Sequence, residues 1–594
     1  MSQHLSQMVR ERAKLYANRD VFWYKEEEEK EYKKLSWNNL IKMTDKVSKA
    51  LLSLGFGRET KIGIFSNNCV KWTISDLGIL STRGVVVPFF GTASKHQVKY
   101  IVDETQMQFM FVGNKDQLEK ALWVVENSDS LEKIVVFDKT VSVDNDHCMS
   151  WTEFCNLGDD PKYDSTLNQL IKEAKTNDLA TIIYTSGTTG EPKGVMLDHN
   201  NFLRSFKSHD LRLDIRESDV SLCFLPLSHI FERAWTFYLL HCGAVNCFLS
   251  NPKKVVDVLP VVKPTVMCTV PRFYEKTYDA IMTEKEKWPA IKQNVFNWAI
   301  KIGRNCTKYQ KDAKRIPFFL NIKHFIADKL VFKTIRNIFG GNIRFLPCAG
   351  AAIRPELLKF FHAADVFVNY GYGATETTAT VSCARPDVFN LDTCGSIMPD
   401  VSVKISDEGE IMIKGDTVFK GYYNKPEETA KSLQNGWYKS GDEGFITNEG
   451  YLVMTDRIKD LMKTSGGKYV SPQKIELMLS EDPFIEQIIV IGDSRKFISA
   501  LVVPEFESLK ITTKNLGIIN HDAKTLVMNE KIIDFFKQRI DKLQEELSPH
   551  ERIVKFTLLS EPFSIENDAL TSTLKMKRKL ISEQYKEIIN KMYE

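Results

Sequence analysis

No Cys-x-x-Cys pair occurs in these 594 residues, and the 11 cysteines lie scattered from Cys69 to Cys394. Disulfide scaffolds are short and cysteine-dense and zinc sites cluster their ligands, so neither is expected. The nearest grouping, His241, Cys242 and Cys247, lies in apolar, strand-like sequence and reads as ordinary packing. A reducing, cytoplasmic setting is the expectation. Long apolar runs are also missing: nothing reaches the ~18 uncharged apolar residues of a spanning helix. Leu77–Phe90 comes closest, and Arg83 with Gly84 splits it into a helix end and a strand. Met1–Asn18 has no apolar signal-peptide core. Neither sign of charge dominates, with 80 Lys and Arg against 77 Asp and Glu for a formal net charge of +3. Nucleic-acid binding, which shows as a basic excess, is therefore not expected. There is no internal repeat.

What is present is an α/β alternation in a chain too long for one core. Lys61–Ser66, Val85–Phe89 and Met107–Val112 read as buried strands, separated by helices at Val70–Thr82 and Ser94–Glu104. Short apolar runs divided by helical segments predict βαβ units and a mainly parallel sheet. The pattern resumes with Thr181–Tyr184, Val266–Val270, Ile343–Pro347 and Val366–Val368. Glu26–Glu29 reads as a solvated hairpin tip. From about Gly395 the texture changes to short strands and Gly- or Asn-rich turns, a small β-subdomain. After Arg457 comes a last α+β unit, with a helix at Pro472–Ser480 and strands at Ile485–Ile491 and Ile498–Val503.

Tyr184-Thr-Ser-Gly-Thr-Thr-Gly-Glu-Pro-Lys-Gly194 follows a predicted strand. Gly187 and Gly190 let backbone N–H groups approach a polyphosphate, Thr185, Ser186, Thr188 and Thr189 add hydroxyl donors, and Lys193 adds charge. A solvated turn does not require this density of phosphate donors. It is not a Walker loop, which needs Gly-Lys-Ser/Thr, because Lys193 stands between Pro192 and Gly194. A second stretch, Tyr370-Gly-Tyr-Gly-Ala-Thr-Glu-Thr377, follows another strand, where open α/β sheets place ligands. Its Glu376 is a hard oxygen ligand suited to magnesium.

The loop resembles the signature of the acyl-adenylate-forming superfamily, which includes acyl-CoA synthetases and peptide-synthetase adenylation domains. Seven further stretches fit the family's order. Residues 370–377 resemble its adenine and metal stretch. The resemblance implies Tyr372 against adenine, with Tyr370, Gly371 and Thr375 nearby, and Glu376 on Mg²⁺ beside Thr185 or Ser186. Cys348-Ala-Gly-Ala-Ala352 is similar to the adenine-contacting turn, which implicates Gly350 and Ala351. Trp437-Tyr-Lys-Ser-Gly-Asp442 assigns the ribose hydroxyls to Asp442. Asp456–Lys468 resembles the interdomain hinge, with Arg457 on ribose and phosphate, Lys459 as pivot, and Gly466, Gly467 and Lys468 along the pantetheine channel. Leu570–Lys579 is similar to the motif carrying the adenylation lysine, placed at Lys575. Leu574 stands where most members have glycine, and Lys577 and Lys579 lie in the same run. Leu225–Arg233 and Pro271–Lys276 resemble long-chain fatty acyl-CoA synthetases, with His229 lining the acyl or pantetheine tunnel or serving structure alone.

The resemblance implies a large acyl-activating domain over residues 1–456, with its β-subdomain at about 395–456, and a mobile domain over 457–594. It implies ATP, Mg²⁺, coenzyme A and a fatty acid as the small molecules. An adenylate synthetase serving a carrier protein, a ligase for another acid, and a non-catalytic binding descendant are the alternatives. One basic stretch stands apart. Lys301–Arg336 has ten Lys and Arg against Asp312 and Asp328, interleaved with Phe318, Phe319, Leu320, Phe325, Ile326, Leu330 and Phe332. It reads either as a peripheral contact for anionic lipid or as a basic helix packed on the core.

Overall fold

Strands that bury both faces read as continuous apolar runs and need helices above and below them. Lys61–Phe65 and Val85–Phe89 meet this description and pair in parallel. Phe109–Val112, Lys133–Val136 and Cys148–Ser150 extend the parallel ladder on one side, and Leu179–Thr185 on the other. The chain then turns back: Lys193–Asp198 pairs antiparallel with Leu179–Thr185, and Gly421–Tyr422 closes that edge of an eight-stranded sheet. The structure, a computed structural model, describes residues 3–26, 29, 31–185, 192–458, 462–466, 468–480, 482–515, 518, 522–564, 567–570 and 576–594, without the side chains at 469, 510, 511, 514 and 515.

A second sheet runs Val220–Cys223, Val245–Phe248, Asp20–Tyr24, Lys33–Ser36. A third starts with Leu346–Cys348 parallel to Val368–Tyr372. Residues 401–457 form a five-stranded antiparallel sheet. From Met462 onward the chain builds its own core around a three-stranded sheet, Ile485–Ile491, Ile498–Pro504 and Ile553–Leu558. Among the described residues no helix is long and apolar enough to cross a membrane.

Some segments differ from their sequence expectation: the strand expected at Val366–Val368 is Val368–Tyr372, so it takes in the first residues of the stretch expected to follow it. Val266–Val270 makes only bridges, at Val266↔Phe345 and Thr269↔Cys348. Val266, Met267 and Cys268 are fully buried, and burial gives the same apolar signal as ladder pairing. His241 and Cys242 end the helix Ile230–Cys242 instead of lying in a strand. That helix is buried over nearly its whole length, so it has no polar face to mark a helical period.

The same helix carries two adjacent buried charges with opposite fates. Arg233 donates to both oxygens of Asp76, at 2.8 and 2.6 Å, and to Thr181 Oγ1 at 2.6 Å. It thereby fastens the helix to Val70–Ser81 and to the strand that leads into the glycine-rich loop. Glu232 lies against the Cys223 thiol and the Leu225 N–H. Neither of its oxygens makes a hydrogen bond of normal geometry among the described residues. Burial pushes its carboxyl up to about 8.

Two outcomes follow. Asp76→Ala leaves Arg233 buried without its counter-charge and should cost about 3–5 kcal/mol in urea unfolding. Glu232 keeps in the folded state a proton that the unfolded chain releases near pH ~4.3. Its contribution to stability is therefore full below that value and lost as pH rises through about 8. Glu232→Gln removes this dependence, so its stability relative to the parent should climb by up to ~1.4 kcal/mol per pH unit across the window. A constant difference at every pH would show that the Glu232 carboxyl titrates normally.

Candidate functional site

The glycine-rich loop is the connection of a hairpin, with Thr185 paired opposite Lys193. It therefore leaves a strand and returns to a strand, where a Walker loop enters a helix. Ser186, Gly187, Thr188, Thr189 and Gly190 lie outside the described residues, while Thr185 and Lys193 mark the loop's two ends. The Lys193 ammonium bonds Glu428, 235 residues away in sequence, and stands 5.2 Å from the Tyr422 ring centroid. Hydrogen bonds from Lys193 and then Lys431 lower the Glu428 carboxyl to about 2. Tyr422 is brought here by antiparallel pairing with Val195, next to Lys193. Its hydroxyl donates to Glu376 Oε1 at 2.9 Å.

Glu376 occupies a single 3-10 turn, Thr375–Thr377, just past the strand Val368–Tyr372. Backbone bonding fixes the turn: the Phe419 N–H donates to the Glu376 carbonyl at 2.8 Å. Gly373 is required for close approach, because a Cβ there would meet the Ala379 carbonyl oxygen at 1.5 Å. Thr378 and Ala379 adopt left-handed φ of 51° and 76° without being glycine, which marks local strain beside the carboxylate. Burial raises the Glu376 carboxyl, and the Tyr422 hydrogen bond partly offsets that rise.

Tyr372, at the end of the same strand, donates its hydroxyl to Asp442 Oδ2 at 2.6 Å. Both residues are 8% exposed. Burial, reinforced by the Asp442 carboxylate, keeps the Tyr372 phenol protonated well above its ordinary range. Asp442 also faces Arg457 across the antiparallel ladder, with Arg457 Nε 3.5 Å from Oδ1. On the neighbouring parallel strand, Leu346–Cys348 runs into Gly350 and Ala351. The Tyr370 hydroxyl donates to the Ala351 carbonyl at 3.2 Å. Gly350 has φ +94° with open space where a Cβ would stand, so backbone conformation, not crowding, calls for glycine. A Cβ at Gly371 would come within 2.5 Å of the Ser382 carbonyl oxygen.

Lys193, Glu376, Tyr372, Asp442, Arg457 and Tyr370 with Ala351 are thus gathered around the end of the strand Val368–Tyr372. Tyr422 and Glu428 complete the group and were not anticipated from sequence. Gly421-Tyr422-Tyr423 carries no motif, and only the sheet edge reveals that it pairs beside the loop. His229 is the N-cap of Ile230–Cys242, accepting from the Phe231 N–H at 3.2 Å. Gly466 and Lys468 lie on the hairpin between Met462–Lys463 and Tyr469–Val470, seated on the C-terminal core. Lys459, Gly467 and Lys575 lie outside the described residues. Of the two neighbouring lysines, Lys577 is paired with Asp568. Beside the Glu376 turn, a small cavity of about 20 Å³ is lined by Phe206, Phe231, Trp235, Tyr238 and Ala379.

Residues 9–423 match the profile of the AMP-binding enzyme family, and residues 459–594 match the AMP-binding enzyme C-terminal domain. A long-chain-fatty-acid–CoA ligase of Mycobacterium bovis is 31% identical over 550 residues, spanning 91% of this chain and 89% of the relative. Long-chain-fatty-acid–CoA ligase 5 of Rattus norvegicus is 31% identical over 598 residues, 95% of this chain and 84% of the relative. The fold is shared with an anthranilate CoA ligase in complex with anthranoyl-AMP, with TM-score 0.73, 17% identity, and 99% and 98% of the two chains covered. It is also shared with o-succinylbenzoate coenzyme A synthetase of Bacillus subtilis in complex with ATP and magnesium ion, with TM-score 0.65, 20% identity, and 96% and 98% covered.

An anion arriving at Lys193 must displace Glu428. An exposed ion pair is worth at most ~1 kcal/mol, so Glu428→Gln should tighten pyrophosphate binding by no more than about fivefold. Titration calorimetry of parent and variant would measure it, and weaker binding by the variant would show that Glu428 supports the anion site.

Proposed function

The chain belongs to the AMP-binding enzyme family, and on that premise we propose that it is an AMP-forming long-chain fatty acid–CoA ligase acting in the cytoplasm. The observation that carries this reading is the linked set Lys193–Tyr422–Glu376 and Tyr372–Asp442–Arg457. In it a cation, a partly buried carboxylate and a second, hydroxyl-accepting carboxylate stand around the end of the strand Val368–Tyr372. The relatives named as long-chain ligases support the acid class.

In the first step the fatty acid carboxylate attacks the α-phosphorus of ATP. The new O–P bond forms as the α–β anhydride breaks, and pyrophosphate leaves with the bonding pair. Catalysis of such a transfer is mainly positioning and charge neutralisation. Lys193 and Lys575 are the cations proposed for the leaving phosphates. Asp442 would accept from the ribose hydroxyls, and Arg457 would hold the nucleotide from the opposite strand. Tyr372, Gly350 and Ala351 would bound the adenine. Magnesium fits Glu376: a single carboxylate suits an ion that keeps several waters and takes its other ligands from phosphate. Held there with a Thr185 or Ser186 hydroxyl, it would neutralise polyphosphate charge.

In the second step the thiol of coenzyme A attacks the mixed-anhydride carbonyl, a C–S bond forms, and AMP leaves. We assign Lys459 as the pivot on which the C-terminal domain turns between steps, with Gly466, Gly467, Lys468 and His229 along the thiol's route.

The products test the class. Purified protein with ATP, magnesium, palmitate and coenzyme A should yield AMP, pyrophosphate and acyl-CoA in equal amounts, and acid-dependent ADP would overturn the assignment. Lys575→Ala should slow adenylate formation by about 3–4 kcal/mol, the size of losing one preorganised charge at a reacting centre. Thiol transfer from supplied acyl-AMP should be unchanged in single-turnover assays. Equal slowing of both steps would refute the domain rotation.

A further inference from the structure

We infer that the outer face of the helical segment 318–332 is a docking surface for an anionic lipid bilayer. The helix Phe318–Ala327 runs on into a π-helix, Asp328–Phe332, and the two are apolar on both sides. The inward side, Ala327, Val331 and Phe332, joins the core. On the outward side Phe318 is 73%, Phe319 78%, Phe325 58% and Leu330 58% exposed. A helix resting on a globular domain puts charge on that side. Four large apolar side chains on one exposed face form the kind of patch that marks an interaction site.

Charge decides the occupant. Lys308, Lys311, Arg315, Lys323 and Lys333 are exposed around this face. None of the five is in an ion pair among the described residues. The segment's two carboxylates are already neutralised: Asp312 by Lys314 at 2.8 Å and Asp328 by Arg336 at 2.5 Å. The Lys329 ammonium stands 4.4 Å from the Phe325 ring centroid, placing a cation directly beside an outward-facing ring. Next to it an open groove of about 410 Å³ runs between Ile291, Val295 and Trp298 on one helix and Ile326 and Leu330 on the other. A second copy meeting this face through a two-fold axis would bring lysines against lysines. Nucleic acid would satisfy the lysines and leave the phenylalanines in water. A bilayer with anionic headgroups satisfies both, with rings at the acyl boundary and ammonium groups at the phosphates.

This surface is read independently of turnover, and so is its test. The full chain should co-sediment with phosphatidylcholine vesicles that contain phosphatidylglycerol, but not with pure phosphatidylcholine, and high salt should release it. Phe318→Ser/Phe319→Ser/Phe325→Ser should abolish binding while leaving the circular dichroism spectrum and ATP affinity unchanged. Lys323→Gln and Lys333→Gln should each weaken it about fivefold. Failure of the parent to bind anionic vesicles, or unchanged binding by the triple variant, would overturn the proposal. So would a concentration-dependent dimer in ultracentrifugation that the triple variant abolishes.

Discussion

The hydrogen bond from Tyr372 to Asp442 is the contact on which the candidate site depends. Tyr372 ends a strand of the third sheet, and Asp442 lies in the antiparallel sheet of residues 401–457. The two sheets also meet through the backbone, where the Cys394 N–H donates to the Leu452 carbonyl and the Leu452 N–H to the Gly395 carbonyl, and the side-chain bond joins them at a buried point. The bond ties Tyr372, at the end of one sheet's strand, to Asp442 in the other sheet. Arg457, one strand away, faces the same carboxylate.

A parallel logic holds the other half of the cluster. Lys193 and Glu376 come from opposite sides of a long stretch of chain and are bridged by one tyrosine on an edge strand. Tyr422 is suited to this because its ring can lie beside an ammonium while its hydroxyl reaches a carboxylate. Glu428 and Tyr422 are the internal partners of the groups proposed for phosphate and metal. They hold those groups in place, and a polyphosphate would exchange with the Glu428 contact.

Arg233 and Glu232 show the same principle deeper in the chain. One buried charge is matched by Asp76 and Thr181 and becomes a rivet between helix and sheet. Its neighbour is unmatched and protonated near neutrality. Local sequence does not distinguish them, since both sit in the same turn of one apolar helix. The distinction arises from which elements pack against each face.

The sequence by itself determined the elements whose signal is local. The buried strands Lys61–Phe65 and Val85–Phe89 declare themselves by composition, the loop Thr185–Lys193 by its donors, and the change near Gly395 by its turns. Position after a strand likewise placed Glu376 and Tyr372 at a sheet's carboxyl end. Pairing between distant segments was not legible, because a ladder partner leaves no mark on a chain it meets hundreds of residues away. Tyr422 and Glu428 entered the cluster that way, and Val266–Val270 lost its ladder for the same reason. The stretch Lys301–Arg336 shows the limit most clearly. Its sequence admits a buried helix or an exposed one, and only the packing of Ala327, Val331 and Phe332 inward decided that Phe318, Phe319 and Phe325 face solvent.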